Sequence, residues 1–209
     1  MAHSSASRGI ASTSESHPKL LATQPGPRRV RTEFSKVKSI VIEVRGQVPA
    51  PIETVFDVFR TVDLASIMHG YGPLPAVAGV EDQTGAWSSM GESRIIRLAD
   101  GHGMLETLTR VDRPEGFAYT LSDLTNALRF LVHRFHGTWS FEESPVEGAP
   151  PTGRALVDAT WKYEFDVRSE LARPLAWLIL TLFWRPYMEA ALERASAQAA
   201  AVHADAMSV

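Results

Sequence analysis

The sequence predicts an α+β fold, a curved antiparallel sheet of about seven strands with one long C-terminal helix laid across its concave face. Three observations carry that prediction. A β-branched stretch near the start runs into an amphipathic helical one. Six strand-like stretches then follow one another, separated only by short turns. The chain closes on a continuous helical pattern from Leu171 to about Ala201. Short spacing between successive strands argues for antiparallel pairing, because parallel neighbours need long crossovers. The apolar face of such a sheet must be covered, and the terminal helix is the element left to cover it.

Residues 1–35 read as a disordered basic tail. The stretch "SSASRGIASTSES" is Ser-rich and too polar to offset its ordering entropy, and "QPGPRR" is linker chemistry. The folded body is expected over residues 36–202, with residues 203–209 a flexible C-terminus. "VKSIVIEVRGQV" (Val37–Val48) is β-branched and partly alternating, hence a first strand. In "PAPIETVFDVFRTV", Pro51 and Glu53 suit a first helical turn, and Ile52, Val55, Phe56 and Phe59 share one face. A weaker second helix covers Leu64–His69. The strands that follow are Ala76–Glu81, Glu92–Leu98, Gly103–Asp112, Gly116–Ser122, Val132–Glu142 and Arg154–Val167. The breaks "TGAW", "ADGHG", "DRPEG", "SDLTNA" and "SPVEGAPPTG" are turn-formers. In the terminal helix, Pro186 is expected to produce a kink.

Composition narrows the function classes. The 209 residues carry a formal net charge of -3, so no global field recruits nucleic acid. Seven of the Lys and Arg lie before Ile40, against two acidic residues, leaving 14 basic and 22 acidic residues in the body. The basic residues of the tail are scattered, which reads as a solvated segment rather than a binding patch. There is no cysteine, which removes disulfides, thiolate nucleophiles and Cys-based metal sites, and fits a reducing compartment. No apolar run of signal-peptide type follows the first basic residue, so a cytoplasmic location is expected. The run "PLAWLILTLFW" (Pro174–Trp184) is bounded by Arg173 and Arg185. At about 1.5 Å per residue it is too short for a hydrocarbon core about 30 Å thick.

No metal site is expected. His133 and His136 are an odd three residues apart, which sends them to opposite faces of a strand, and His102 lies in the turn "DGHG". Gly-x-Ser-x-Gly is absent, and "GYG" (Gly70–Gly72) lacks the setting of a dinucleotide loop, so neither a nucleophile nor a cofactor is implied and no catalytic residue is assigned. Glu92, Arg94, Arg97 and Glu106 are read as a surface charge ladder. Only if one of them pointed inward would it become the best acid/base or anchoring group.

The layout, with "VPAPIETVFDVF", "GESRIIRL", "GMLETLTRVDRPEGFAYTL", "FHGTWSFEE" and "GRALVDATWKYEF", resembles the START-related SRPBCC superfamily of helix-grip proteins, in its polyketide cyclase/dehydrase and lipid transport branch. The resemblance implies a helix-grip fold, with two short helices after the first strand and an internal cavity for hydrophobic ligands. It does not imply one reaction.

Alternation then assigns the cavity face. In the last strand Val157, Ala159, Trp161, Tyr163 and Phe165 face inward, because Asp158, Thr160, Lys162 and Glu164 must face water. The strand before it gives His133, Phe135, Gly137, Trp139 and Phe141, and a third row is Phe117, Tyr119 and Leu121. The expected ligand-binding set is Tyr119, His133, Phe135, Trp139, Trp161 and Tyr163, with Leu178 and Leu182 from the helix. His69 and Tyr71 are placed near the pocket mouth. The helix stripe Leu171, Leu175, Leu178, Ile179 and Leu182 is expected to face the sheet. Trp177, Leu180, Phe183 and Trp184 then lie on other sides, to be covered by the N-terminal segment, a second subunit or a membrane surface.

Three functions remain. The favoured one is a carrier or sensor of a lipid-like or polycyclic molecule, without a cofactor. The second is a polyketide cyclase/aromatase or dehydratase using the same cavity. The third is a protein-interaction module.

Overall fold

The computed structural model describes residues 39–144 and 156–208. The chain divides into two units, Met1–Phe34 and Ser35–Val209, and all the described residues belong to the second. The expected N-terminal tail, its "QPGPRR" linker and the turn "SPVEGAPPTG" lie outside the described residues, save Ser144 at the last one's start.

Strand β1 (Ile40–Val48) buries Ile40, Ile42, Val44 and Val48, in the alternation its β-branched residues imply. Helix α1 (Ile52–Thr61) follows Pro51 directly and buries Ile52, Val55, Phe56 and Phe59, with Glu53 favourably placed in its first turn. The short α2 (Leu64–Ile67) is capped by the Asp63 carboxylate, which accepts the Ala65 N–H at 3.1 Å. Strands β2 (Val77–Glu81), β3 (Ser93–Leu98), β4 (Gly103–Asp112), β5 (Gly116–Ser122), β6 (Val132–Glu143) and β7 (Val157–Val167) complete one seven-stranded sheet. Its order is β1-β7-β6-β5-β4-β3-β2, with every pair antiparallel. Register shifts at Val77/Gly79, Leu108/Arg110 and Val132/Arg134 interrupt the ladders, and such bulges bend and twist a sheet locally. A 3-10 turn at Ala127–Phe130, which the sequence pattern leaves as plain loop, is capped by Asn126.

The C-terminal element runs as α3 (Arg173–Ile179), a π turn (Leu180–Trp184) and α4 (Arg185–Ala206). Within it the Arg185 N–H reaches back to the Leu180 carbonyl, five residues away. Pro186 has no N–H to give, so the wider turn lies where the ordinary ladder would lose a bond. Small residues let this helix approach the sheet, since Ala176, Ala191, Ala195 and Ala199 are all buried. Gly46 of β1 lies under Leu192, close enough that an added Cβ would sit 3.1 Å from Leu192 Cδ2. The result is the helix-grip fold, a sheet closed around one long helix.

The face that this helix presents corrects the sequence expectation. Leu171, Leu175, Leu178 and Leu182 form a stripe, but it points outward, with Leu178 46% and Leu182 53% exposed. Ala176, Leu180, Trp184, Tyr187 and Met188 point inward instead. The run is apolar nearly all round, so periodicity marks two stripes without ranking them. Packing ranks them: Ala176 lets the first turns come close, and Trp184 fits its ring edge-on among Phe135, Tyr163 and Phe165 of the sheet, so this stripe is the one that interlocks with the rings of the concavity.

Candidate functional site

Between the concave face and the helix lies a cavity with about 70 Å³ open to the centre of a water-sized sphere, and about 840 Å³ when space out to its mouth is counted. Its walls come from every layer. The sheet contributes Arg94, Ile96 and Leu98 from β3, Met104 and Glu106 from β4, Phe117, Tyr119 and Leu121 from β5, Phe135 and Trp139 from β6, and Trp161 and Tyr163 from β7. The helix contributes Trp184, Tyr187 and Ala195, while Phe59, Ile67, Met68, Leu74 and Pro75 close the remaining side. Most of this surface is aromatic or aliphatic. Trp139 and Trp161 are cross-strand partners and stack at 4.4 Å, and Trp184 meets Phe135, Tyr163 and Phe165 edge-on.

Two polar stations interrupt the apolar wall. In the first, Arg94 and Glu106 are directly paired across β3 and β4, and Arg94 Nε donates to Glu106 Oε2 at 2.5 Å. They are 7% and 3% exposed. Burial pushes the Glu106 carboxyl above its ordinary value, and the Arg94 charge and hydrogen bond oppose that push. Trp87, buried in the loop after β2, lies over the guanidinium at 3.9 Å from ring centroid to Cζ. The reading of these charges as a surface ladder is therefore corrected for this pair. Arg97 does stand outside, bound to Glu81, and Glu92 accepts the Ser88 N–H in the same loop.

In the second station the Tyr119 and Tyr163 hydroxyls hydrogen-bond each other at 2.8 Å, and Trp161 Nε1 donates to the Tyr119 oxygen at 2.9 Å. Gly137 makes this possible. It lies between them in the sheet, opposite Tyr119 on one side and Tyr163 on the other. A Cβ there would collide with the Tyr119 ring. Burial holds both phenols protonated, well above the ordinary tyrosine range, and the Glu106 charge adds to the effect at each. One hydrogen bond joins two hydroxyls, so one phenolic hydrogen remains to give. Nearby, Trp184 Nε1 is buried and has no hydrogen-bond partner among the described residues.

Of the residues chosen from sequence, Tyr119, Phe135, Trp139, Trp161 and Tyr163 converge on the cavity. His133 does not. The bulge at Val132/Arg134 resets the alternation, so Val132 and Phe135 are buried while His133 and Arg134 are exposed. Leu178 and Leu182 stand on the outer side of the helix, away from the cavity. His69 and Tyr71 are exposed as well. A tight turn pairs Tyr71 with Leu74, sending Leu74 and Pro75 inward in their place, and Gly72 at its tip rests on Phe183. Among the residues proposed for an outer contact, Leu180 and Trp184 are buried within the chain and Trp177 is exposed. The outward apolar ridge is instead Leu171, Leu175, Trp177, Leu178 and Leu182.

Sequence reasoning left Phe117, which it set on the inward face, and Tyr187 out of the expected ligand-binding set, and it missed Arg94, Glu106 and Trp184. For the ion pair a signal existed: Arg94 alternates with Ile96 and Leu98, and Glu106 with Met104 and Leu108, so each shares a face with apolar residues.

A family model described as polyketide cyclase / dehydrase and lipid transport matches residues 39–200. No curated protein matches the sequence. Among solved structures, a norcoclaurine synthase from Thalictrum flavum, in complex with dopamine and hydroxybenzaldehyde, aligns at TM-score 0.53 and 17% identity, over 87% of this chain and 96% of that one. The di-domain ARO/CYC BexL from the BE-7585A biosynthetic pathway aligns at TM-score 0.54 and 17% identity, over 77% of this chain and 50% of that one. Ara h 8.0201 aligns at TM-score 0.50 and 11% identity, over 78% and 98%. At these identities the likeness is one of fold.

Proposed function

Because the chain belongs to the polyketide cyclase / dehydrase and lipid transport family, we propose that it binds a lipid-like or polycyclic small molecule between sheet and helix, as a carrier or sensor. The observation that carries this reading is the cavity itself, an aromatic wall broken only by a few converging polar groups. That is the composition of a ligand pocket, in which apolar contact supplies affinity and a few polar groups fix orientation. Tyr119, Phe135, Trp139, Trp161 and Tyr163 form its ligand-binding face, together with Trp184 and Tyr187. The outer side of the same helix carries the Leu171–Leu182 ridge, a surface suited to a membrane interface or a second copy of the chain.

Native mass spectrometry of protein purified from its own host tests the reading. The expected result is a co-purifying apolar adduct that is lost on denaturation. Protein that is consistently free of any adduct would overturn it.

One observation favours catalysis as a second reading: a buried carboxylate and a guanidinium face the same cavity as the phenol pair. A polyketide cyclase/aromatase or dehydratase needs a group to take a proton and groups to hold a carbonyl oxygen. Glu106, whose proton affinity is raised by burial, supports the first role, and Arg94 with the phenols supports the second. The di-domain ARO/CYC among the structural neighbours agrees with this alternative. Glu106→Gln separates the two readings. It should abolish turnover while ligand is retained if the protein is an enzyme, and a carrier has no turnover to lose.

A further inference from the structure

Resting on the reading that the cavity takes a small apolar molecule, we propose that it selects an uncharged one. The preferred ligand is an apolar skeleton bearing carbonyl, ether or hydroxyl oxygens, taken ahead of a carboxylate of the same shape.

The charge balance of the wall sets this preference. Among the described residues, three charged side chains line the cavity: Arg60, Arg94 and Glu106. Arg60 is half-buried and already occupied at one edge, where it donates to the carbonyls of Ala86 and Trp87 and lies over the Phe56 ring, in the field of Asp57. Deeper in, the single positive charge of Arg94 is neutralised by the single negative charge of Glu106. A carboxylate brought to Arg94 must share the guanidinium with Glu106, which leaves a net negative charge out of water. Buried charge without its own partner is strongly unfavourable.

An uncharged oxygen meets no such obstacle. Donors are left over beside the phenols: one phenolic hydrogen of the Tyr119–Tyr163 pair and the Trp184 N–H. Their complement on a ligand is an acceptor oxygen, with no charge required. Glu106 therefore works as a built-in counterion. It occupies the cation that an acid would otherwise claim, and so sets the ligand class.

The test compares methyl 2-naphthoate and 2-naphthol with 2-naphthoate, by isothermal titration calorimetry at neutral pH, each competing for the same site. Wild-type protein is expected to bind the ester and the naphthol on the order of tenfold or more tightly than the acid anion. Glu106→Gln, which leaves Arg94 without a counterion, is expected to reverse that order. The wild-type comparison decides the question by itself should the variant fail to fold. Wild-type protein binding 2-naphthoate as well as the ester, or better, would overturn the charge rule and leave cavity binding standing. Failure of all three probes to bind would overturn the cavity reading, and the rule with it.

Discussion

Removing Arg94 alone should destabilise the protein far more than removing Arg94 and Glu106 together. Arg94→Met takes away the guanidinium and leaves a carboxylate that is 3% exposed. Breaking a buried pair from one side typically costs about 3–5 kcal/mol, and losing a cation from an aromatic face adds about 0.5–2 kcal/mol. In Arg94→Met/Glu106→Leu both charges leave, and Met and Leu fill the space. Hydrophobic replacement of a buried pair is often neutral or stabilising by about 1–4 kcal/mol. The double variant should therefore stand close to wild type or above it, and the single variant several kcal/mol below both.

The pH dependence gives a second, independent check. Burial raises the Glu106 carboxyl from its ordinary 4.5, and Arg94 is the group that holds it down. Without Arg94 it rises further. A carboxyl with a raised folded value binds more protons when folded, so its contribution is most favourable at low pH. It is lost as pH rises from about 4.5 to the folded value, by at most about 1.4 kcal/mol per pH unit. Arg94→Met should thus lose stability toward neutrality more steeply than wild type, and the double variant should lack that component. Urea unfolding of all three proteins from the acid range to neutrality measures both effects. An Arg94→Met variant within about 1 kcal/mol of the double variant, with no steeper pH slope than wild type, would refute the reasoning.

Three further outcomes are expected from the geometry. Gly137→Ala places a methyl against the Tyr119 ring and should cost about 1–3 kcal/mol by urea unfolding, with a changed near-ultraviolet circular dichroism from the displaced phenol; an unchanged midpoint would contradict the packing. Leu180→Ala should cost about 2–5 kcal/mol and the half-exposed Leu178→Ala no more than about 1 kcal/mol, and the opposite ranking would mean that the helix presents its other face. Tyr119, Tyr163 and Tyr187 should stay protonated through the ordinary phenol range in a spectroscopic titration. The folded state keeps protons that the unfolded state loses near 10, so stability should fall as pH climbs above 10; phenolate absorbance from all four tyrosines at that point, without unfolding, would contradict their burial.

The elements that were legible in the sequence are those whose punctuation and period agree. Gly103–Asp112 lies between the turns "ADGHG" and "DRPEG", Gly116–Ser122 between "DRPEG" and "SDLTNA", and both have those bounds in the structure. Helix α1 buries the four residues that its spacing put on one face. What stayed hidden depends on geometry that one sequence leaves open. A bulge adds a residue without changing composition, so nothing in "LVHRFHG" shows that His133 belongs to the outer set. The helix Arg173–Trp184 is apolar on both sides, and the choice between them was made by the ring-filled concavity of a sheet formed elsewhere in the chain.

The Arg94–Glu106 pair was misplaced for a different reason, which bears on how the site is to be read. The rule that charges face water orients β7 correctly, because its polar residues fall on one face and its aromatic ones on the other. In β3 the same rule cannot be satisfied. Arg94 and Arg97 are an odd number of residues apart, so one of them must share the face of Ile96 and Leu98. The apolar majority sets the orientation of the strand, and Arg94 is carried inside with it. Being inside, it requires a counterion at the register position opposite, and β4 supplies Glu106 there. A charge that a strand's alternation forces inward, met by its complement across the ladder, is costly to desolvate and is not needed to fill a core that Ile, Leu and Met already fill. Its position on the cavity wall gives that cost a use, as the group that decides which ligands the aromatic surface accepts.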